Sequence, residues 1–277
     1  MKTNKKRLRV FFLFTAVFMM LMSLTVMAKT VDLKFDKYYN EYIGRCKATE
    51  DGNLFFKLKV SKYGLLDVSG QCQYANGQLG GINVTLVNSK KKVLDFKSSN
   101  PVSSGAGTYV RYAVAPGTYY FKVPAKKGTD YAVQSVYALT GGHSGGATKS
   151  KAVKLKRNKT KTGVISASSF KAQKKWFKFY VPEQSRAVNL KLMLNGGQGR
   201  TVFYISGPNI KGTKSVKISP DRKYQKYTIM KLYQRVTKYG ISYTTGPKAG
   251  WYYVRVCKPT SGKYKRSSGQ FALQWTY

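Results

Sequence analysis

The chain has 277 residues, with 50 Lys and Arg against 10 Asp and Glu, one His and three Cys. A formal net charge of +40 says little about the fold but indicates polyanionic partners. The single histidine, His143, lies in a Gly-rich segment without a rigid scaffold, which excludes Ser-His-Asp and Cys-His catalytic arrangements.

The first predicted element is a secretory signal peptide over residues 1–28. A cationic stretch precedes an apolar run from Val10 to Val26, and small residues at Val26 and Ala28 fit a cleavage site before Lys29. An uncleaved anchor is less favoured, because the run is short for a span of about 20 residues. No later apolar run is long enough to cross a bilayer. We therefore expect a secreted protein, free or held non-covalently at the cell surface, with 50 minus 5, or 45, Lys and Arg against 10 acids.

Two similar copies of one unit follow, over residues 30–139 and 151–277, with a Gly-rich linker at 140–150. Four blocks keep their order in both copies: 31–34 with 153–156, 55–60 with 176–181, 115–123 with 248–256, and 131–137 with 271–277. The offset between the copies grows only between blocks, as expected when the second copy has longer loops.

Within each copy the apolar residues alternate with a period of two. Phe56, Leu58 and Val60 share one side of a predicted strand, while Lys57 and Lys59 take the other. Turn dipeptides separate such runs, and no segment carries a helical apolar stripe. These patterns predict an all-β fold, with two tandem jelly-roll-like antiparallel β-sandwich domains of roughly eight strands each.

The succession of an aromatic pair before Lys, then Gly-x-Tyr-Tyr-apolar-Lys/Arg-Val, then a closing aromatic-Ala-apolar-Gln strand resembles the bacterial pre-peptidase C-terminal domain. That domain is similar to the collagen-binding domains of clostridial collagenases. The resemblance covers 30–139 and 151–277 and implies a secreted accessory module that accompanies a hydrolase, although no hydrolase is attached. Some relatives bind calcium just before the first long strand, which implies a weak calcium site at Glu50 and Asp51; residues 170–172 of the second copy offer no acid there.

Catalytic groups are scarce outside the histidine. Eight acids lie in the first copy and two in the second, and most are expected to cap turns or pair with lysines. A hydrolase that uses scattered carboxylates such as Asp67 and Glu183 is the less favoured alternative. Cys46 and Cys72 could pair, which would leave Cys257 free, but plain thiols are expected. We predict no enzyme activity, no cofactor and no transition-metal site.

One strand of each copy carries a predicted outward row of aromatic and cationic residues. If Tyr252 and its alternate neighbours point inward, Trp251, Tyr253 and Arg255 point outward, and the matching row of the first copy includes Tyr120 and Lys122. Such a row offers a flat platform for sugar rings, peptides or bases, together with charge for an anionic group. The alternatives are that a loop covers the face or that the facing is inverted, because a shift of one residue exchanges the two sides.

A second candidate surface is the insertion at 214–248 in the second copy, where tyrosines interleave with cations. Tyr224, Lys226 and Tyr227 are examples, and the alternation of rings with positive charge is typical of surfaces that contact polyanions or nucleic acid. An amphipathic hairpin with tyrosines inside and lysines outside would have the same pattern.

These features together predict a secreted, non-catalytic binding or adhesion module. Its expected partners are a cell-wall or other anionic extracellular polymer, a host or cell-surface glycan, or a matrix protein, with nucleic acid bound only through nonspecific charge. An interaction subunit of a separately encoded secreted hydrolase is the main alternative. The sequence leaves the ligand and the oligomeric state open.

Overall fold

A computed structural model of the chain describes residues 29–97, 99–140, 145–167, 173–182, 187–208, 210–219, 224–228, 233–244 and 247–276. Within these ranges the regular structure is β-strand, apart from one 3-10 turn at Lys263–Arg266. The predicted all-β fold is confirmed. The predicted signal peptide and His143 lie outside the described residues. Among the helices of the described ranges, none has the length and apolar character needed to cross a membrane.

The first half of the chain forms two packed sheets. One has the strand order β1-β4-β10-β7-β8, and the other has the order β2-β3-β11-β5-β6, with β9 also paired to β5. The β1–β4 pair is parallel, and the other pairs are antiparallel. The described strands are β1 (Thr30–Asp32), β2 (Lys34–Asp36), β3 (Glu41–Lys47), β4 (Gly52–Val60), β5 (Gly64–Gln73), β6 (Leu79–Gly80), β7 (Ile82–Val87), β8 (Asn100–Val102), β9 (Val110–Val114), β10 (Gly117–Ala125) and β11 (Asp130–Leu139).

The second half repeats this architecture. Its sheets have the orders β12-β14-β21-β16-β17 and β13-β22-β15-β18, and β19 and β20 form a separate two-stranded hairpin. The strands are β12 (Val153–Lys154), β13 (Lys161–Ile165), β14 (Lys174–Val181), β15 (Asn189–Gln198), β16 (Thr201–Gly207), β17 (Ile210–Ile218), β18 (Tyr224–Thr228), β19 (Tyr233–Thr237), β20 (Gly240–Thr244), β21 (Gly250–Cys257) and β22 (Ser268–Thr276).

Alternation of apolar and polar side chains builds the core of each sandwich. Phe56 of β4 and Phe121 of β10 are registered partners and are fully buried, and Val133 of the facing sheet joins the same core. Phe177 and Val254 are registered partners at the corresponding positions of β14 and β21, and both are buried in a second core. Burial of each such large side chain contributes roughly 1.5–3 kcal/mol, which is why the alternation fixes the facing of these strands.

The two halves also repeat one local hydrogen bond. The Tyr119 hydroxyl donates to the Ala115 carbonyl at 2.8 Å, and the Tyr252 hydroxyl donates to the Lys248 carbonyl at 3.0 Å. Both tyrosines are buried at the start of equivalent strands. The bond satisfies a hydroxyl that would otherwise be costly to bury.

The halves contact each other along β9, whose free side faces the second sandwich. The backbone N–H of Ala167 donates to the Ala113 carbonyl at 2.8 Å, and the N–H of Ala115 donates to Ser166 Oγ at 3.0 Å. The N–H of Ala113 also donates to Ser268 Oγ at 3.3 Å. These bonds satisfy the exposed backbone of an edge strand, so β9 joins the two sandwiches directly.

The predicted linker at 140–150 is described only in part. Residues 141–144 lie outside the described residues. Gly146 exchanges two backbone hydrogen bonds with Trp176 at the start of β14, at 2.9 and 2.8 Å. A Cβ at Gly146 would collide with the Lys151 carbonyl, so this approach requires glycine. The described end of the segment is therefore fixed to the second sandwich.

The possible Cys46–Cys72 disulfide is absent, and the described cysteines are all free thiols. Cys46 on β3 and Cys72 on β5 both register with Tyr131, which lies on the strand between them. Two strand spacings separate their Cα atoms by about 9–10 Å, which exceeds the reach of about 7 Å for a disulfide.

Candidate functional site: the outer face of the second sandwich

Three neighbouring strands of the second sandwich, β14, β21 and β16, present aromatic and cationic side chains on the outer side. On β21, Tyr252, Val254 and Val256 are completely buried, so Trp251 and Arg255 take the opposite face. Residues of β14 alternate in the same register. We call the outer surface the aromatic-cationic face, defined by Trp176, Lys178, Tyr180, Tyr204, Trp251, Tyr253 and Arg255.

Strand register alternates rings and charges across this face. Lys178 is directly opposite Tyr253, and Arg255 lies between Trp176 on one side and Tyr204 on the other. Tyr180 is opposite Trp251, with ring centroids 5.5 Å apart and planes at 66°. Directly opposed side chains on neighbouring strands are about 5 Å apart, so each cation has a ring within contact distance.

Cations contact the ring faces at short range. Arg255 Cζ lies 4.2 Å from the Tyr204 centroid and 5.5 Å from the Trp176 centroid. Lys178 Nζ lies 5.1 Å from the Trp251 centroid. Two lysines outside the strands' outer row join the contacts: Lys154 Nζ is 5.8 Å from Trp251, and Lys149 Nζ is 4.6 Å from Tyr253. Each contact contributes about 0.5–1 kcal/mol at an exposed site, enough to restrict long cationic side chains.

The face is open to solvent. Trp251 is 38% exposed and Tyr180 is 46% exposed, which is unusual for side chains of this size. Beyond Asp130 the chain contains only two acids, Glu183 and Asp221, and both lie outside the described residues. The described part of the second half therefore has no carboxylate to neutralise these cations.

The matching row in the first sandwich is covered. Lys91, in the turn between β7 and β8, places Nζ 3.9 Å from the Phe55 centroid and 3.8 Å from the Tyr120 centroid. Phe55 is only 6% exposed, and burial lowers the pKa of Lys91. Lys122 is half-buried beside Phe55 on the same face. A loop thus closes over Tyr120, one of the two alternatives to an open platform.

The insertion of the second half lies on the other sheet. Tyr224, Lys226 and Tyr227 belong to β18, which pairs with β15, so the structure does not bring them onto the aromatic-cationic face. Lys226 is exposed, whereas the side chains of Tyr224 and Tyr227 lie outside the described residues.

Glu50 and Asp51 lie in the turn between β3 and β4, beside a cleft of about 470 Å³. Asp51 Oδ1 accepts a hydrogen bond from the Lys127 N–H at 2.6 Å. Among the described residues no group of three or more His, Cys, Asp or Glu side chains could hold a metal. Because calcium takes six to eight oxygen ligands, this pair alone does not fit it.

The acids considered for hydrolysis are not assembled into a pair. Asp67 forms a two-pronged salt bridge with Arg111, its cross-strand partner on β9, and Glu183 lies outside the described residues. Sequence analysis missed Asp95, which is 1% exposed and accepts hydrogen bonds from Tyr112 Oη at 2.6 Å and Asn100 Nδ2 at 2.7 Å. Burial raises the pKa of Asp95, while these bonds oppose the shift.

Comparisons with known proteins found no matching family model and no matching curated protein. The pre-peptidase C-terminal resemblance therefore stays a prediction. Among solved structures, a cupin 2 conserved barrel domain protein from Leptotrichia buccalis is similar at 8% identity and a TM-score of 0.18, covering 84% of this chain and 82% of that one. An oxalate decarboxylase OxdC mutant from Bacillus subtilis is similar at 7% identity and a TM-score of 0.16, covering 84% of this chain and 72% of that one. The Cry4Aa toxin from Bacillus thuringiensis is similar at 8% identity and a TM-score of 0.20, covering 84% of this chain and 48% of that one. TM-scores this low carry no argument about activity, metal or ligand.

Proposed function

We propose that the chain is an exported, non-catalytic binding protein that attaches to an anionic extracellular polymer through the aromatic-cationic face. The observation that carries the proposal is the set of cations held over rings on an open sheet, in a half whose described residues contain no Asp or Glu. The predicted signal peptide supports export, and the large positive charge supports a polyanionic partner.

The aromatic rings and the cations of the aromatic-cationic face would make different contacts with a polymer. The exposed surface of Trp251 can stack on the apolar side of a sugar ring, while Lys178 and Arg255 pair with carboxylate, sulfate or phosphate groups of the same chain. The neighbouring rings hold the two cations in place, so fewer side-chain rotamers are lost on binding. A rigid sheet also keeps the spacing between stacking and charge constant, which favours a regular polymer.

Immobilised polygalacturonate, with dextran as the neutral control, tests this proposal. Trp251→Ala is expected to weaken binding about fivefold to tenfold, because the loss of a stacking platform costs roughly 1–1.4 kcal/mol of binding free energy. Tyr38→Ala is the matched control, because Tyr38 is a fully accessible tyrosine of the first half.

Charge is tested with Lys178→Gln against Lys159→Gln, which removes an equal charge from an exposed turn. Binding is measured at about 0.1 and about 0.5 M salt, where the screening length falls from about 10 Å to below 5 Å. Lys178→Gln should weaken the binding that survives high salt, and Lys159→Gln should act only at low salt. Equal effects of the two variants, with no effect of Trp251→Ala, would mean nonspecific charge attraction and would contradict the proposal.

A further inference from the structure

A cleft of about 620 Å³ lies where the two sandwiches meet. The first half contributes Phe96, Tyr109 and Asn100 to its wall, and the second half contributes the segment 197–200 and Tyr264. Its volume is within the range of about 300–1,000 Å³ that small-molecule sites occupy. Neither sandwich alone would form it, and it is separate from the aromatic-cationic face.

Rings from both halves stack around an arginine in this cleft. Phe96 and Tyr264 have centroids 5.3 Å apart, and Arg200 Cζ lies 4.3 Å from the Tyr264 centroid. Lys263 Nζ is 5.5 Å from Phe96 and 5.6 Å from Tyr264. Among the described residues no carboxylate forms a salt bridge with Arg200, whereas Arg111 in the same wall is already paired with Asp67.

Amide groups line the cleft beside the arginine. Gln198 Nε2 donates to Asn100 Oδ1 at 3.5 Å, across the junction of the halves. Asn100 is held from behind, because its Nδ2 donates to Asp95 at 2.7 Å and Tyr112 donates to the same carboxyl oxygen. Gln198 Oε1 is buried without a hydrogen-bond partner among the described residues. A buried unpaired acceptor costs about 1–3 kcal/mol, and a hydroxyl donor placed in the cleft would relieve this cost.

Two glycines bring the backbone of the second half against the first. Gly196 and Gly199 have φ values of +73° and +76°, which side-chain-bearing residues rarely adopt, and a Cβ at Gly196 would lie 2.6 Å from Arg111 Cδ of the first half. A Cβ at Gly199 would lie 2.9 Å from Phe96 and would also collide with Ser267. The turn therefore lies close against Phe96 of the first half.

We propose that this cleft binds a single anionic sugar residue. Arg200 pairs with the acidic group while the Tyr264 ring holds its guanidinium in place, and Gln198 Oε1 accepts a hydrogen bond from a sugar hydroxyl. The acid is a carboxylate or a phosphate ester, since a guanidinium pairs with both in a two-pronged manner. Amides both donate and accept hydrogen bonds, as the hydroxyls of a sugar do, so the two kinds of group can pair in either direction.

Calorimetry with trigalacturonate and with glucose 6-phosphate tests the inference, with maltotriose as the neutral probe and a thymidine tetranucleotide as the nucleic-acid probe. Amide NMR shifts of Gly197 and Gly199 report whether the heat arises in the cleft. One or both anionic sugars should bind and shift these amides, and the two probes distinguish carboxylate from phosphate. If neither anionic sugar binds at a ligand concentration of about 10 mM, where even weak affinity would be detected, the inference is overturned.

Variants locate the contacts within the cleft. Arg200→Gln should weaken binding at least about tenfold, whereas the charge-matched Lys159→Gln should change it less than about twofold. Tyr264→Phe keeps the ring and should retain binding, so loss in Tyr264→Ala with retention in Tyr264→Phe supports a ring that positions Arg200. Trp251→Ala disables the outer face and should leave the cleft unchanged, which separates this inference from the proposed function. Unaltered binding in Arg200→Gln, or tighter binding of the tetranucleotide, would refute the assignment.

Discussion

A lysine buried at the end of β21 should make the stability of this protein depend on alkaline pH. Lys258 is 1% exposed, and its Nζ donates to the Ser166 carbonyl at 3.1 Å, beside the contact between the two halves. Burial lowers the pKa of Lys258 from 10.5 to about 8. Between these values the unfolded chain binds more protons than the folded chain, so the free energy of unfolding rises with pH across this window. Below about pH 8 the full cost of the buried charge is present.

The magnitude follows from the two pKa values. The interval between about 8 and 10.5 corresponds to an upper bound of about 3 kcal/mol, at about 1.4 kcal/mol per pH unit. Lys258→Met removes the charge but also a hydrogen bond worth about 1 kcal/mol, so the variant should be about 2 kcal/mol more stable than the wild type at pH 7. At the alkaline end of the window the advantage should vanish or reverse slightly.

Urea unfolding across pH 7 to 10.5 measures this difference, with Lys159→Met as the control for loss of one lysine from an exposed turn. The control should stay within about 0.5 kcal/mol of the wild type throughout. A Lys258→Met variant that is no more stable than the wild type at pH 7, or whose advantage does not shrink as pH rises, would refute the reasoning.

Three other changes have expected outcomes. Asp95→Ala leaves buried donors unpaired and should lower the free energy of unfolding by about 3 kcal/mol in urea titrations. Tyr112→Phe should lower it by about 1 kcal/mol, and equal losses in the two variants would contradict the hydrogen-bond network around Asp95. Under native conditions, timed thiol alkylation with mass spectrometry should label the half-buried Cys46 before the buried Cys72, and the reverse order would contradict the observed burial. Gly146→Ala should lower the thermal midpoint by several degrees, about 2–4 °C per kcal/mol, because its Cβ meets the backbone; an unchanged midpoint would contradict that contact.

The inward facing of β4, β10, β14 and β21 could be predicted from the sequence, because a period-two apolar pattern allows only one side to be buried. The outward facing of Trp251 and Arg255 follows from the same pattern. The cover over Tyr120 could not be predicted, since it depends on where a turn carries Lys91 in space. The cleft between the halves could not be predicted from the sequence for a similar reason. Phe96 and Tyr264 meet only through tertiary packing, and neither lies in a recognisable motif.

The two halves share the strand order of one five-stranded sheet, yet they divide the binding surface unequally. In the first sandwich Lys91 lies over Tyr120 and the buried Phe55, whereas in the second Trp251 and Tyr180 stay exposed beside the lysines that contact the face. The first half contributes to the cleft instead, through the region where β9 joins the second half and where Asp95 holds Asn100 in place by a hydrogen bond. The repeated architecture thus provides a similar scaffold in each half, and differences in turns and edges determine which surface can receive a ligand. This explains why both proposed sites depend on the second half, whereas only the cleft requires the first.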